Sequence, residues 1–296
     1  MQDILTWAMG LDIHRDVIVA CLAKGELGTD PEIEIRSFST LIPEMRKLRD
    51  WVFEAECRYV AMESTGIYWQ PIYEMLEPCF DGQISILVVN ARHMKNVSGR
   101  KTDMRDAQWI TTLLRAGLLK GSFIPDKTFR KPRHLTRYRK STVHDITTQK
   151  NRIDKFLQSS GFRFTAFLSD AFGASGRNII RHLMEYGNIS REALDRCLKT
   201  QTRKRIDEIL IALNGSLSEH QRNFLRMIFE HLEALEQHRH TVEDAIAEEI
   251  TKHEDALSLL CSIPGIDVTA AAAIIAEIGN DMSAFPDSQH ICPGLV

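Results

Sequence analysis

Through the first ninety or so residues, apolar and polar positions follow one another in short blocks; beyond them they run in long helical waves. WAMGLDI (Trp7 to Ile13) and VIVACLA (Val17 to Ala23) are short apolar runs joined by His14, Arg15 and Asp16, the pattern of a β-hairpin. EIEIRSF (Glu32 to Phe38) alternates with period two and predicts a third strand. From Leu41 to Glu54 the period becomes helical, with Leu41, Met45, Leu48, Trp51 and Val52 on one face. YVAME (Tyr59 to Glu63) reads as a buried strand ending in an acid, and IYWQPIYEML as a helix starting after Gly66. ISILVVN (Ile84 to Asn90) reads as another buried strand, with a helical ARHMKNV behind it.

After about Pro132 the strand signals stop. Leu135 to Ser159 predicts a long helix with Val143, Ile146, Ile153 and Leu157 at heptad-like spacing, and Gly161, Gly173 and Gly176 mark a loop region. A second long helix is predicted from about Ser218 to Lys252, with Leu225, Leu232 and Ile246 in one register and Ile228, Leu235 and Val242 in the other; Arg239 and Glu249 interrupt the seam. Such seams suggest an antiparallel coiled coil or a dimerising arm, with an ordinary bundle core as the alternative. SIPGIDVTAAAAIIAEIG (Ser262 to Gly279) resembles a helix-hairpin-helix element, whose turn amides can meet a phosphate. Gly265 matches the first hairpin glycine, while Asp267 stands where a second is usual; a plain helical hairpin fits equally well. Three antiparallel-type strands followed by strand–helix–strand–helix is the order of an RNase H-like sheet. The expected architecture is therefore an α/β RNase H-like domain over 1–130, a helical coiled-coil and dimerisation region over 131–255, and the start of a small helical C-terminal domain over 256–296.

Composition adds little to this picture, and charge adds a good deal. With 44% hydrophobic and 26% charged residues the chain is an ordinary globular protein. No apolar run approaches the roughly 18 residues of a membrane span. The N-terminus lacks a basic n-region, so a cytosolic protein is expected. Cys21, Cys57, Cys79, Cys197, Cys261 and Cys292 are scattered without a CxxC, which argues against a zinc site and a disulfide framework. The net charge of −3 hides an asymmetry. Arg92 to Arg163 holds eighteen Lys or Arg against five acids, a surplus of thirteen that leaves the remainder at −16. A basic block in an acidic protein is the footprint of a polyanion partner. Within it, Arg92, Lys95, Arg100, Lys101 and Arg105 are expected phosphate contacts, and Arg133, Arg137, Arg139 and Lys140 recur near a helix start.

Four acids stand where strand or helix ends would expose them: Asp12 in MGLDIH, Glu63 in AMESTG, and Asp103 and Asp106 in KTDMRDAQW. Singly, each has an ordinary reading as a turn former or cap. In an RNase H-like sheet, however, the first strand, the end of the fourth and the start of a later helix converge. Four carboxylates meeting there would need cations, and an oxygen-rich site suits Mg²⁺, two of which can clamp a phosphodiester. His14 reads as a hairpin-turn residue, and Tyr68 and Trp69 as helix packing rather than base stacking.

GLDIH, the MESTGIYW block, VVNARHMKNVSGRKTDMRDAQWI and LLCSIPGIDVTAAAAIIAEIG together resemble the DEDD transposases of bacterial insertion sequences, the IS one-ten group, over essentially the whole chain. The catalytic domain of that group is similar to the Holliday-junction resolvase RuvC. The resemblance implies that Asp12, Glu63, Asp103 and Asp106 are the metal ligands of a two-ion Mg²⁺ site. It also implies a homodimer built on the coiled coil, able to form a tetramer on DNA, in the bacterial cytoplasm at the nucleoid. Its partners would be the element ends, the target DNA and a structured guide RNA, and the helix-start residues Arg133, Arg137, Arg139 and Lys140 are candidates to grip either that RNA or the DNA backbone. The family places a nucleophilic serine after a Gly-Leu-x-Pro motif. This chain ends at CPGLV before that point, so no serine is assigned and an incomplete recombinase is expected. The competing readings are a resolvase-like nuclease using the same acids and a non-catalytic nucleic-acid-binding remnant. An actin-like ATPase would need a late Asp-x-Gly loop that the chain lacks.

Overall fold

The computed structural model describes residues 4–64, 66–90 and 103–285, the side chains of 103–105 and 284 excepted. The chain divides into two compact units, Met1–Ile124 and Pro125–Val296. The predicted helix in ARHMKNV lies outside the described residues.

The first unit is built on a five-stranded sheet of order β3-β2-β1-β4-β5, with β1 Trp7–Ile13, β2 Val17–Lys24, β3 Glu32–Ser39, β4 Tyr59–Glu63 and β5 Ser85–Val89. β1, β2 and β3 are antiparallel neighbours, whereas β4 lies parallel to β1 and β5 parallel to β4. This is the RNase H-like arrangement. Helices α1 (Ile42–Glu54), α2 (Trp69–Leu76) and α3 (Asp103–Arg115) accompany the sheet.

β1 and β2 are buried almost throughout because both faces of the sheet are covered. Side chains of a strand alternate between faces. Met9, Leu11 and Ile13 join Val60 and Met62 in a core with Leu48, Trp51 and Val52 of α1 and Ile72 and Leu76 of α2. The opposite face carries small residues: Ala8 and Ala61 meet Ile110 and Leu114 of α3, and Cys21 meets Ala107. Gly10 lies on that face too. A Cβ built on it would fall 2.5 Å from the Ala107 carbonyl oxygen, so α3 rests directly on the β1 backbone. The Thr111 hydroxyl lies 2.9 Å from the Cys21 carbonyl oxygen and helps to fix the contact.

Arg115 ends α3. It was counted in the basic surplus, yet it is only 2% exposed. Its guanidinium is buried because main-chain carbonyls receive it: Nε donates to Leu5 O at 3.0 Å, with the Gly25 and Glu26 carbonyl oxygens close by. The Ile4 N–H donates to Arg115 O at 2.8 Å. The end of α3 is thereby tied to the start of β1, while its beginning lies toward the other end of that strand.

The second unit is helical: α4 (Lys127–Ser159), α5 (Ala174–Tyr186), α6 (Arg191–Cys197), α7 (Thr200–Arg203), α8 (Ile206–Ala212), α9 (Glu219–Ile250), α10 (Glu254–Cys261) and α11 (Val268–Ile278). α4 and α9 run antiparallel, as Lys131 meeting Glu249 and Gln149 meeting Ile228 require. α4 begins at Lys127, well before the expected Leu135, because Asp126 caps Thr128. Pro132, which would normally end a helix, is buried inside it beside Phe129. The α4 seam also differs from expectation. Thr142, Ile146, Gln149, Ile153 and Leu157 are buried, whereas Val143 faces outward at 37% exposure. Spacings of four and three keep the true helical period, and the buried Gln149 is satisfied by donating to Ile228 O at 2.6 Å. The expected glycine loop instead leads into α5, where Gly176 packs against the Ala171 carbonyl too closely for any side chain. Among the described residues no helix is long and apolar enough to cross a membrane.

Candidate catalytic site

Asp12 follows Ala8 and Gly10 on the small-residue face of β1 and is 4% exposed. The β1–β4 register pairs Gly10 with Ala61 and Leu11 with Met62, so one step further along both strands Asp12 and Glu63 stand side by side. Glu63 shares the face of Ala61, because two residues along a strand restore the direction. α3 covers the same face, with Ala107 and Thr111 on Gly10. Its first turn therefore lies over the Asp12 end of the sheet. Asp106 immediately precedes Ala107, and Asp103 begins the helix three residues earlier. Asp106 and Glu63 are half-buried.

The electrostatics agree with this convergence. Burial pushes the Asp12 carboxyl above its usual value of 3.8, the His14 charge and hydrogen bond pull it back, and the charges of Glu63 and Asp106 push it up again. The charges of Glu63, on the neighbouring strand, and of Asp106, on the helix, thus both reach Asp12. Among the described residues, no three acidic, histidine or cysteine side chains stand close enough together to hold one ion. The side chain of Asp103 is outside that set. The donor chemistry of Asp12, Glu63 and Asp106 suits a hard cation: their side chains offer carboxylate oxygens, and like charges in a partly buried site need countercharge.

The basic candidates divide into two groups. Arg92, Lys95, Arg100, Lys101 and the Arg105 side chain lie outside the described residues. In the second unit, Arg133 Nε lies 2.8 Å from Glu277 Oε2, and Arg137 Nε donates to Glu277 Oε1 at 2.7 Å. Arg139 Nε donates to Glu243 Oε1 at 2.8 Å, and Lys140 is exposed. Glu277 is shared by two arginines and Glu243 by Arg139 and Arg239, so each junction keeps a surplus positive charge. A phosphate reaching these guanidinium groups competes with carboxylates already in place. Those acids lie more than a hundred residues away in sequence and gave no local signal.

The hairpin of α10 and α11 turns at Gly265, whose φ of +91° favours glycine. Asp267 caps α11 by accepting from the Ala270 N–H at 2.8 Å. The residue in place of the second hairpin glycine thus fills an amide position and adds negative charge where a phosphate would come. Trp69 packs edge-on against Tyr73 with ring centroids 5.8 Å apart.

Gly10, Arg115 and His14 were not among the expected site residues. A glycine inside a strand pattern does signal close backbone approach. The strand period also places His14 beside Asp12.

Comparison with known proteins shows two family matches. Residues 9–161 match a transposase family model of the DEDD IS110 type, and residues 257–293 match a model described as the transposase IS116/IS110/IS902 family. Among solved structures, RuvC of Thermus thermophilus is similar at 12% identity, covering 39% of this chain and 99% of that one with a TM-score of 0.28. No curated protein matches the chain.

Proposed function

The chain belongs to the IS110 family of DNA transposases, and on that footing we propose that it is an RNA-guided recombinase of an insertion sequence, with its cleavage chemistry at Asp12, Glu63, Asp103 and Asp106. The observation that carries this reading is the convergence of Asp12, Glu63 and Asp106 on one sheet face, where each charge acts on Asp12.

Asp12, Glu63, Asp103 and Asp106 would hold Mg²⁺, which when bound stabilises the attacking and leaving oxygens of a phosphodiester. The chain's own contribution is rigidity. Asp12 sits on the central strand, Glu63 on its parallel neighbour, and α3 is seated by Gly10 and tethered at its far end by Arg115. Arg92, Lys95, Arg100, Lys101 and Arg105, immediately before and within the start of α3, would position the phosphate backbone beside the acids. Arg133, Arg137, Arg139 and Lys140 would hold the guide RNA or DNA backbone through the surplus charge of their ion-pair junctions. The antiparallel α4–α9 pair would serve as the dimerisation arm.

The nucleic-acid part of this reading is tested by binding of the element's own noncoding transcript, with a scrambled RNA of equal length as control. Tight binding of the transcript alone is expected. Raising salt from about 50 to 200 mM should weaken it roughly a hundredfold if about four to five phosphates are neutralised. Equal binding of both RNAs removes RNA guidance, and a flat salt response removes the basic stretch as the binding surface.

A further inference from the structure

His14 closes the β1–β2 hairpin next to the acidic cluster. Its main-chain N–H donates to Val17 O at 2.9 Å, and the Thr40 hydroxyl holds the following Arg15 carbonyl at 2.7 Å, so the turn is fixed on both sides. From this fixed position the imidazole Nε2 lies 3.1 Å from Asp12 Oδ2. With Asp12 ionised, its carboxylate can only accept and Nε2 carries the hydrogen. Neutral and protonated imidazole can both donate from that nitrogen, and the contact does not depend on the charge of the ring. The Asp12 side chain is 6% exposed and that of His14 is 46% exposed, so the ring lies on the solvent side of the acid. The neighbouring Glu63 and Asp106 are like charges that disfavour ionised Asp12. His14 is the group that favours it.

We propose that His14 is a positioning residue: by holding Asp12 Oδ2 it fixes the rotamer of the carboxylate and leaves Oδ1 for a divalent cation. This rests on the reading of Asp12, Glu63, Asp103 and Asp106 as metal ligands, but it assigns a separate part to a side chain outside that set. Groups that orient a metal ligand typically contribute ten- to a hundredfold in metal affinity.

The test is Mn²⁺ uptake by the protein without nucleic acid, followed by electron paramagnetic resonance, for the wild type, His14→Ala and His14→Gln. Alanine removes the donor, whereas glutamine returns an N–H near the place of Nε2. The expected result is a dissociation constant raised about ten- to a hundredfold in His14→Ala and largely restored in His14→Gln, with all three melting within a few degrees of one another. Unchanged affinity in His14→Ala overturns the positioning role and leaves the metal reading standing. Loss in both variants also overturns it, because a ring that itself ligates the metal is not replaced by an amide. A wild type that takes up no Mn²⁺ defeats the metal reading and this inference with it.

Discussion

Asp12→Asn is expected to abolish DNA strand cleavage and at the same time to make the fold more stable. The substitution keeps the shape of the side chain and its ability to accept from His14, but removes its charge. Cations that stabilise a phosphodiester transition state contribute several kcal/mol, and each 1.4 kcal/mol is a factor of ten, so a loss of roughly a hundred- to a thousandfold or more is expected. The stability effect has the opposite sign. In the folded chain the Asp12 carboxyl is raised above 3.8 by burial, with Glu63 and Asp106 adding to the shift. A carboxyl raised on folding binds its proton more tightly in the native state. Its destabilising effect is therefore absent below the unfolded value, grows as pH rises from the unfolded value to the folded one, and is complete above the folded value. Asn removes it. In metal-free buffer the variant should melt above the wild type at pH 7, and the difference should shrink in acid. A variant that melts lower at neutral pH, or that still cleaves DNA, contradicts the assignment.

Gly10→Val is expected to have the second-largest effect, although it alters no acid. The added Cβ would meet Ala107 O and Thr111 Oγ1 at 2.5 Å and Thr111 N at 2.6 Å. Two of these are backbone atoms of α3, so the helix itself must shift. Overpacking of this kind costs about 1–3 kcal/mol, and the β-branched preference for strands does not offset it. Because α3 carries Asp103 and Asp106, its displacement moves two of the four proposed metal ligands. A misplacement of about 1 Å can cost roughly a hundredfold in rate. Gly10→Ala is the milder variant and should show the same two effects at smaller size. The denaturant midpoint and the cleavage rate are measured together. A Gly10→Ala protein with both unchanged would mean that α3 is not seated on β1 as described.

The first unit was largely legible in the sequence because its strands are short, apolar and separated by turn residues. Each of the five expected strands formed within a residue or so of its predicted bounds. That β4 pairs with β1 rather than β3 is not written locally; the pairing places β1 at the centre of the sheet, hydrogen-bonded along both edges. The alternation of large and small residues in AMGLDI did carry the position of α3, since Ala8 and Gly10 leave room for a helix close to the strand. In the second unit, Pro132 concealed the start of α4, and Val143 was placed inward where Thr142 turned out to be buried. The partners of Arg133, Arg137 and Arg139 come from α11 and α9, so the ion pairs depend on tertiary packing that no local pattern encodes.

The most direct test of the acidic site is the anomalous scattering of Mn²⁺ in crystals of the metal-loaded protein. The expected result is one or two peaks bounded by the carboxylates of Asp12, Glu63, Asp103 and Asp106, lost in Asp12→Asn. Manganese bound elsewhere with these four carboxylates bare, or peaks that persist unchanged in Asp12→Asn, would contradict it.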